Sequence, residues 1–159
     1  MSPLELHAIV QLLIATALGA SIGIERSIAG KRAGMRTYAL VALGSCLLTV
    51  VSLIVSNSYI GLTSFDPLRV AAAIVMGIGF IGTGVVVFKG DNLIGLTTAA
   101  GLWVAAGLGI AVGFRLYGIA LAAAVFAIII FKGFIPFERM LDVMFKNKSK
   151  DQVSIESEG

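Results

Sequence analysis

Five long apolar runs, separated by short clusters of charge, constrain the fold of this chain more than any other feature. The runs cover about residues 6–24, 37–56, 69–88, 96–113 and 116–135. A helix needs roughly 20 apolar residues to cross the hydrocarbon core of a bilayer, and each run is close to that length. Charged residues make up 13% of the 159-residue chain, against about 25% in ordinary soluble domains. We therefore expect an all-α membrane protein whose residues 1–135 form a bundle of five transmembrane helices.

The first run and the junction between the fourth and fifth runs decide how many spans the bundle has. The first run is interpreted as a retained span rather than a signal peptide, because the residues before it include Glu5 and no Lys or Arg. The fourth and fifth runs meet at Phe114 and Arg115. One long bent helix would bury Arg115 in the bilayer, so the sequence favours a tight helical hairpin.

The segment after the fifth run has a different pattern. Its apolar residues recur at helical spacing, as Phe137, Met140, Leu141, Met144 and Phe145. This spacing predicts a short amphipathic helix over 136–146 that lies along the membrane interface. Residues 147–159 are polar, and we expect them to form a disordered tail.

The loop charges predict the orientation in the membrane. Ten of the 12 Lys and Arg residues lie in the first loop, the third loop and the C-terminal segment, whereas the second and fourth loops hold Arg69 and Arg115. An excess of Lys and Arg marks the cytoplasmic side. With five spans, the N-terminus is expected outside and the C-terminus in the cytoplasm. Topology thus explains the net charge of +3, so the lipid bilayer is the expected partner and nucleic acid is not.

The stretch GIGFIGTG, residues 77–84, has the G-x-G-x-x-G spacing of a dinucleotide-binding turn. Such a turn needs a strand before it and an acidic residue about 20 positions later, whereas this stretch lies inside an apolar run. Close packing of membrane helices through small residues is favoured, and we expect a homodimer through such a face. The alternative is a span that glycine weakens, so that it opens and exposes carbonyl groups to an ion. The residues predicted to pack helices are Gly77, Gly79, Gly82 and Gly84 in this stretch and Gly101, Ala105 and Gly109 in the fourth run.

The candidate cation site is centred on Glu25, which ends the first run beside Arg26. An acid at a membrane boundary is either a cation ligand or the partner of a nearby base, and both interpretations stay open. Ser21 lies one turn before Glu25 on the same helix face, and Thr83 would add a hydroxyl at the depth of the glycine stretch. The candidate cation-binding residues are therefore Glu25, Ser21 and Thr83, with Glu25 as the candidate metal ligand.

The sequence does not favour an enzyme. It contains one His, one Cys and no intramembrane pair of carboxylates, which excludes most hydrolytic and redox schemes. It also lacks a Walker-type nucleotide loop, so we expect no ATPase activity of its own and no cofactor.

Two stretches of the chain resemble the bacterial MgtC/SapB family. They are GIERSIAGKRAGMRTYALVALGSCLLTVVS and RVAAAIVMGIGFIGTGVVVFKGDNLIGLTTAAGLWVAAGLGIAVG, and the resemblance extends over about residues 8–135. It implies an inner-membrane protein linked to magnesium homeostasis, with Mg²⁺ as a transported or sensed ion. The family's motifs fall here on Glu25, Arg26, Gly30, Lys31, Gly34, Arg36, Thr37, Gly77, Gly79, Gly82, Gly84, Gly95, Thr97, Thr98 and Trp103.

The resemblance leaves two functions open. Some members are named as magnesium transport proteins, and others look like regulators of membrane complexes such as the ATP synthase. The leading expectation is a transport protein for Mg²⁺ or another cation, and the alternative is a non-transporting regulator that docks through its glycine faces, including the stripe from Gly101 to Gly109. Ala73 and Met76 stand where many relatives carry Gln and Ser, so an ion path here would be drier. Many relatives also have a soluble C-terminal α/β domain, and regulation through that domain is not expected here.

Overall fold

A computed structural model of the protein describes residues 3–58, 66–90, 92–134 and 140. The five apolar runs form five helices, each long and apolar enough to cross a membrane. The helices are α1 (Pro3–Ile28), α2 (Met35–Ser58), α3 (Leu68–Val85), α4 (Leu96–Gly113) and α5 (Tyr117–Phe134). The prediction of an all-α membrane fold with five transmembrane helices is confirmed. The helix predicted over 136–146 and the tail over 147–159 lie outside the described residues, apart from Met140.

The chain divides into two compact units, Met1–Ala127 and Ile128–Gly159. The first unit contains α1 to α4 and the first part of α5, and it holds every site discussed below. In the second unit, the described residues 128–134 are helical.

The core of the first unit is formed by α1, α2 and α4, which pack against one another, while α3 packs on α4 and α2. Small residues let these backbones approach closely. A Cβ atom added at Gly19 of α1 would lie 2.6 Å from the carbonyl oxygen of Tyr38 on α2. A Cβ atom added at Gly113 of α4 would lie 2.6 Å from the Cβ of Thr49. The close contacts between α2 and its two neighbours therefore depend on glycine.

Helix α1 continues past residue 24, where the apolar run was expected to end, as far as Ile28. Its end is a Schellman motif, in which the amide of Lys31 donates to the carbonyl of Arg26 (3.0 Å) and the amide of Gly30 donates to Ser27 (3.1 Å). Gly30 has a φ of +65°, which a residue with a side chain rarely adopts. The helix thus contains both Glu25 and Arg26.

The third helix differs from the predicted span of 69–88 because it ends at Val85. The chain then forms a hairpin of strands β1 (Val87–Lys89) and β2 (Asn92–Ile94), paired antiparallel with Val87 opposite Ile94. The run Val85-Val86-Val87 is β-branched, and Gly90 has a φ of +61° in the turn. Hydropathy alone does not distinguish an apolar strand from the last turn of an apolar helix, so the sequence analysis missed the hairpin.

The fourth and fifth helices are joined by the short turn that the sequence favoured. Leu116 donates to the carbonyl of Ala111 (2.8 Å) and Arg115 donates to Val112 (2.9 Å), which is again the pattern of a Schellman motif. Arg115 occupies the left-handed position with a φ of +63°, where glycine is usual. The turn is therefore strained at one residue.

Candidate functional site

Glu25 and Arg26 form a buried ion pair at the end of α1. Arg26 donates from Nε to Oε2 of Glu25 (2.5 Å) and from Nη2 to Oε1 (2.9 Å). Both residues are buried, with 6% of Glu25 and 3% of Arg26 exposed. The sequence left two interpretations open for Glu25, as a cation ligand or as the partner of a nearby base. In the structure Glu25 is paired with the base Arg26.

Tyr38 of α2 forms a buried hydrogen bond with α4. The side chain is fully buried, and its hydroxyl donates to the carbonyl of Thr98 at 3.3 Å. Sequence analysis did not select Tyr38, because a single Tyr near a helix start is as typical of a membrane interface as of a core.

The three residues predicted to bind a cation do not form one site. Ser21 donates its hydroxyl to the carbonyl of Leu18 (2.7 Å), and Thr83 donates to Phe80 (2.8 Å), so each hydroxyl bonds to its own helix. Thr83 is exposed on α3, whereas Glu25 is buried where α1 meets α2 and α4. Among the described residues, no group of three or more His, Cys, Asp or Glu side chains could hold a metal ion.

Five of the polar residues on which the family's motifs fall line two different cavities. Lys31, Thr97 and Thr98 line a cavity of about 380 Å³ between the first loop and the start of α4. Arg36 and Thr37 instead line an open groove of about 840 Å³ between α2 and α3. Ser27 supports the loop, because its hydroxyl accepts a hydrogen bond from the amide of Met35 at 3.0 Å.

The glycines of α3, which were predicted to pack helices, make little contact within the chain. A Cβ atom added at Gly77, Gly79 or Gly84 would meet nothing within 4 Å, and one at Gly82 would meet only the Cβ of Ala99, at 3.7 Å. The helix is also continuous through this stretch, so the alternative of a glycine-interrupted span is wrong for this conformation.

The stripe on α4 has the opposite environment. Gly101, Ala105 and Gly109 are buried, and a Cβ atom at Gly109 would overlap the carbonyl oxygen of Ala42 on α2. The stripe is therefore buried within the chain, and at Gly109 it lies against α2. Four-residue spacing of small residues indicates a packed face but does not identify the helix that packs there.

Gln11 is a further buried polar residue that the sequence analysis did not select. It is 3% exposed, and its Nε2 donates to the carbonyls of Val112 (2.8 Å) and Gly113 (2.9 Å). These carbonyls belong to the last turn of α4, which has no donors for them within the helix, although Val112 also accepts from the amide of Arg115. The signal in the sequence was a single amide inside an apolar run, VQLLIATA.

The five apolar helices define a multi-pass α-helical membrane protein. The model of the MgtC family matches residues 12–140, and the chain belongs to this family. No solved structure matches the chain.

Three curated relatives illustrate the similarity. The chain is 37% identical over 131 residues to a protein of Escherichia coli K12 named "Putative magnesium transporter YhiD", covering 79% of the chain and 60% of the relative. It is 42% identical to protein SapB of Bacillus subtilis, over 76% of the chain and 53% of the relative. It is 46% identical to protein MgtC of Salmonella typhimurium, over 58% of the chain and 37% of the relative. The match thus spans between 37% and 60% of the length of these relatives.

Proposed function

We propose that the protein serves magnesium homeostasis from within the bacterial inner membrane, by acting on another membrane protein rather than by conducting Mg²⁺ itself. Membership of the MgtC family and a relative named as a magnesium transporter support the link to magnesium. The observation that carries the choice of mechanism is the buried pair of Glu25 and Arg26.

Mg²⁺ requires oxygen ligands in near-octahedral geometry and gives up its waters reluctantly. Glu25 is the one buried carboxylate among the described residues, and both of its oxygens already accept hydrogen bonds from Arg26. Binding Mg²⁺ there would break the two hydrogen bonds that hold this buried ion pair, which costs several kcal/mol. The pair therefore favours a structural role for Glu25 over a role as ligand.

Helix α3 offers the surface for association. It is mostly exposed in the first unit, with Ile78 as its buried residue. Gly77, Gly79 and Gly84 leave open space beside its backbone. Lipid gives helices no hydrophobic reason to associate, so close contact at small residues is what stabilises helix pairs in a membrane. The partner in this proposal is another membrane protein, and a second copy of the chain is the competing occupant.

Passive cation transport is the second candidate, and the name of the Escherichia coli relative favours it. Mg²⁺ flux into proteoliposomes that contain the purified protein separates the two functions. We expect no flux above that of protein-free liposomes, while an added ionophore shows that the vesicles hold a gradient. Saturable flux that Glu25→Gln abolishes would establish transport through Glu25. Flux that this substitution leaves unchanged would establish transport along another path.

The association is tested in cells that depend on this protein for growth in low magnesium. Gly79→Leu fills the open space beside α3, whereas Phe80→Leu alters a neighbouring lipid-facing side chain that is 84% exposed. We expect Gly79→Leu to abolish growth at unchanged protein level and helicity, and Phe80→Leu to preserve it. Equal growth with both variants would contradict a role for this face. Disulfide cross-linking between two copies at residue 79 would identify the homodimer as its occupant.

A further inference from the structure

The cavity of about 380 Å³ between the first loop and the start of α4 has the features of an anion site. Its lining includes Gly30, Lys31, Arg32, Gly95, Thr97 and Thr98. We propose that this cavity binds a phosphate group, carried either by a lipid headgroup or by a small soluble molecule. The inference does not depend on the function proposed above.

The cavity has positive charge that the described residues do not neutralise. Lys31 and Arg32 are exposed, and neither makes an ion pair with a described residue. None of the described residues that line the cavity is acidic. The Schellman motif at Gly30 fixes the backbone from which both cations extend. Their charge is therefore held at the mouth of the cavity, where an anion would neutralise it.

The N-terminus of α4 contributes backbone donors. The first amides of a helix, here those of Leu96, Thr97 and Thr98, have no acceptor within it. No side chain caps them, because the N-cap residue is Gly95. Gly95 has a φ of +101°, and a Cβ atom there would overlap the carbonyl oxygen of Val85. The packing of α3 thus requires glycine at this position and leaves the positive end of the α4 dipole open.

Thr98 supplies an independent observation. The residue lines the cavity and is 5% exposed, yet its hydroxyl makes no hydrogen bond to any described residue. The hydroxyls of Thr16, Thr49 and Thr83, in contrast, each donate to a carbonyl of their own helix. This hydroxyl therefore keeps its hydrogen-bonding capacity for a ligand or water in the cavity. Its position beside the free amides favours an acceptor such as a phosphate oxygen.

Together these groups suit phosphate chemistry. Two cations, the end of a helix dipole and a hydroxyl converge on one cavity, and a tetrahedral phosphate presents several acceptor oxygens to such donors. A divalent cation does not fit the described lining, because that lining contains two positive side chains and no carboxylate.

Binding is tested on the purified full-length protein with defined probes. Isothermal titration in neutral detergent uses inorganic phosphate and glycerol 3-phosphate, with chloride as the reference anion. Native mass spectrometry from nanodiscs of phosphatidylcholine, with and without phosphatidylglycerol, reports retained lipid. Binding of the soluble probes would identify a soluble source. Selective retention of phosphatidylglycerol without binding of the soluble probes would identify a headgroup.

Matched variants test the location. Lys31→Gln with Arg32→Gln removes the two cations of the cavity, whereas Arg36→Gln with Lys89→Gln removes the same charge from residues that do not line it. We expect the first pair to weaken binding at least tenfold and Thr98→Val to weaken it severalfold, since the first removes two charged donors and the second removes one neutral donor. The control pair should change binding little. Equal loss in the two pairs, full binding by folded Thr98→Val, or no binding of any phosphate probe would overturn the proposal.

Discussion

Glu25 and Arg26 are adjacent in the sequence and bond to each other through two hydrogen bonds, although neighbouring residues on a helix point in different directions. The arrangement turns two charges into one neutral unit inside the bundle. Tyr38 of α2 is also fully buried and donates a hydrogen bond to the carbonyl of Thr98 on α4. The pair therefore belongs to the structure that holds α1, α2 and α4 together.

Arg26→Gln should destabilise the protein by about 3 kcal/mol, because it leaves the Glu25 carboxylate buried without a partner. Glu25→Gln alone should also destabilise, and the double substitution should cost less than the sum of the two. The measurement is the free energy of unfolding in mixed micelles of neutral detergent and dodecyl sulfate, arranged as a double-mutant cycle. Additive effects would show that the two side chains do not interact.

Gln11→Leu should reduce the free energy of unfolding by about 1–3 kcal/mol, because two carbonyls of α4 lose their buried donor. Thr16→Val is the matched control on the same helix, since the Thr16 hydroxyl donates to the carbonyl of Leu12 within α1. We expect the control to change stability by less than about 0.5 kcal/mol. Thermal unfolding followed by circular dichroism compares the two, and equal shifts would argue against the Gln11 bridge.

Gly109→Ala and Gly79→Ala make the same chemical change in two environments. The added methyl at residue 109 overlaps the backbone of α2, and we expect a loss of about 1–3 kcal/mol or more. At residue 79 it meets open space, so the better helix propensity of Ala should leave stability unchanged or raise it by up to about 1 kcal/mol. The same unfolding assay applies, and similar losses at both positions would contradict the packing described.

Arg115→Gly should raise stability by about 1 kcal/mol, because glycine adopts the left-handed conformation of residue 115 without a steric penalty. Arg115→Ala removes the same charge but keeps the Cβ atom, and it should give no such gain. The difference in melting temperature between the two variants isolates the backbone effect. A gain of equal size from Ala would assign it to the loss of charge instead.

The predicted orientation is tested by labelling single cysteines in a Cys46→Ala background. We expect a membrane-impermeant maleimide to label Asn57→Cys on intact spheroplasts, because α2 ends outside in this orientation. Lys31→Cys should react only after the membrane is permeabilised. The reverse pattern would invert the topology.

Much of the fold could be predicted because a bilayer imposes a length on every apolar segment. The helix starting at Leu96 and ending at Gly113 follows directly from the uncharged run over the same residues. The hairpin after Val85 could not be predicted in this way, since its strands are as apolar as a helix end. Hydropathy measures the preference for lipid and not the backbone conformation within it.

The candidate site was less predictable than the fold. Glu25, Lys31, Thr97 and Thr98 were selected from the sequence, but their grouping was not. Glu25 pairs with its neighbour Arg26. Lys31 and Thr98 line one cavity together with Arg32, which contributed to the sequence argument only as a basic residue of the first loop. Thr83 remained apart on α3. The distance between two residues on different helices depends on which faces of those helices pack together. The sequence alone does not specify these faces.

The sequence by itself determined that this chain is a five-helix membrane protein, because the cost of placing charge or unpaired backbone groups in lipid leaves few alternatives. Only the tertiary structure decided how residues of the same type, which look alike in the sequence, differ in their surroundings. Gly109 lies against α2 while Gly79 faces open space, and the Thr49 hydroxyl donates to Ser45 whereas the Thr98 hydroxyl bonds to no described residue. The physical reason is that packing and hydrogen bonding depend on the neighbour across the interface, which a residue's own position in the chain does not reveal.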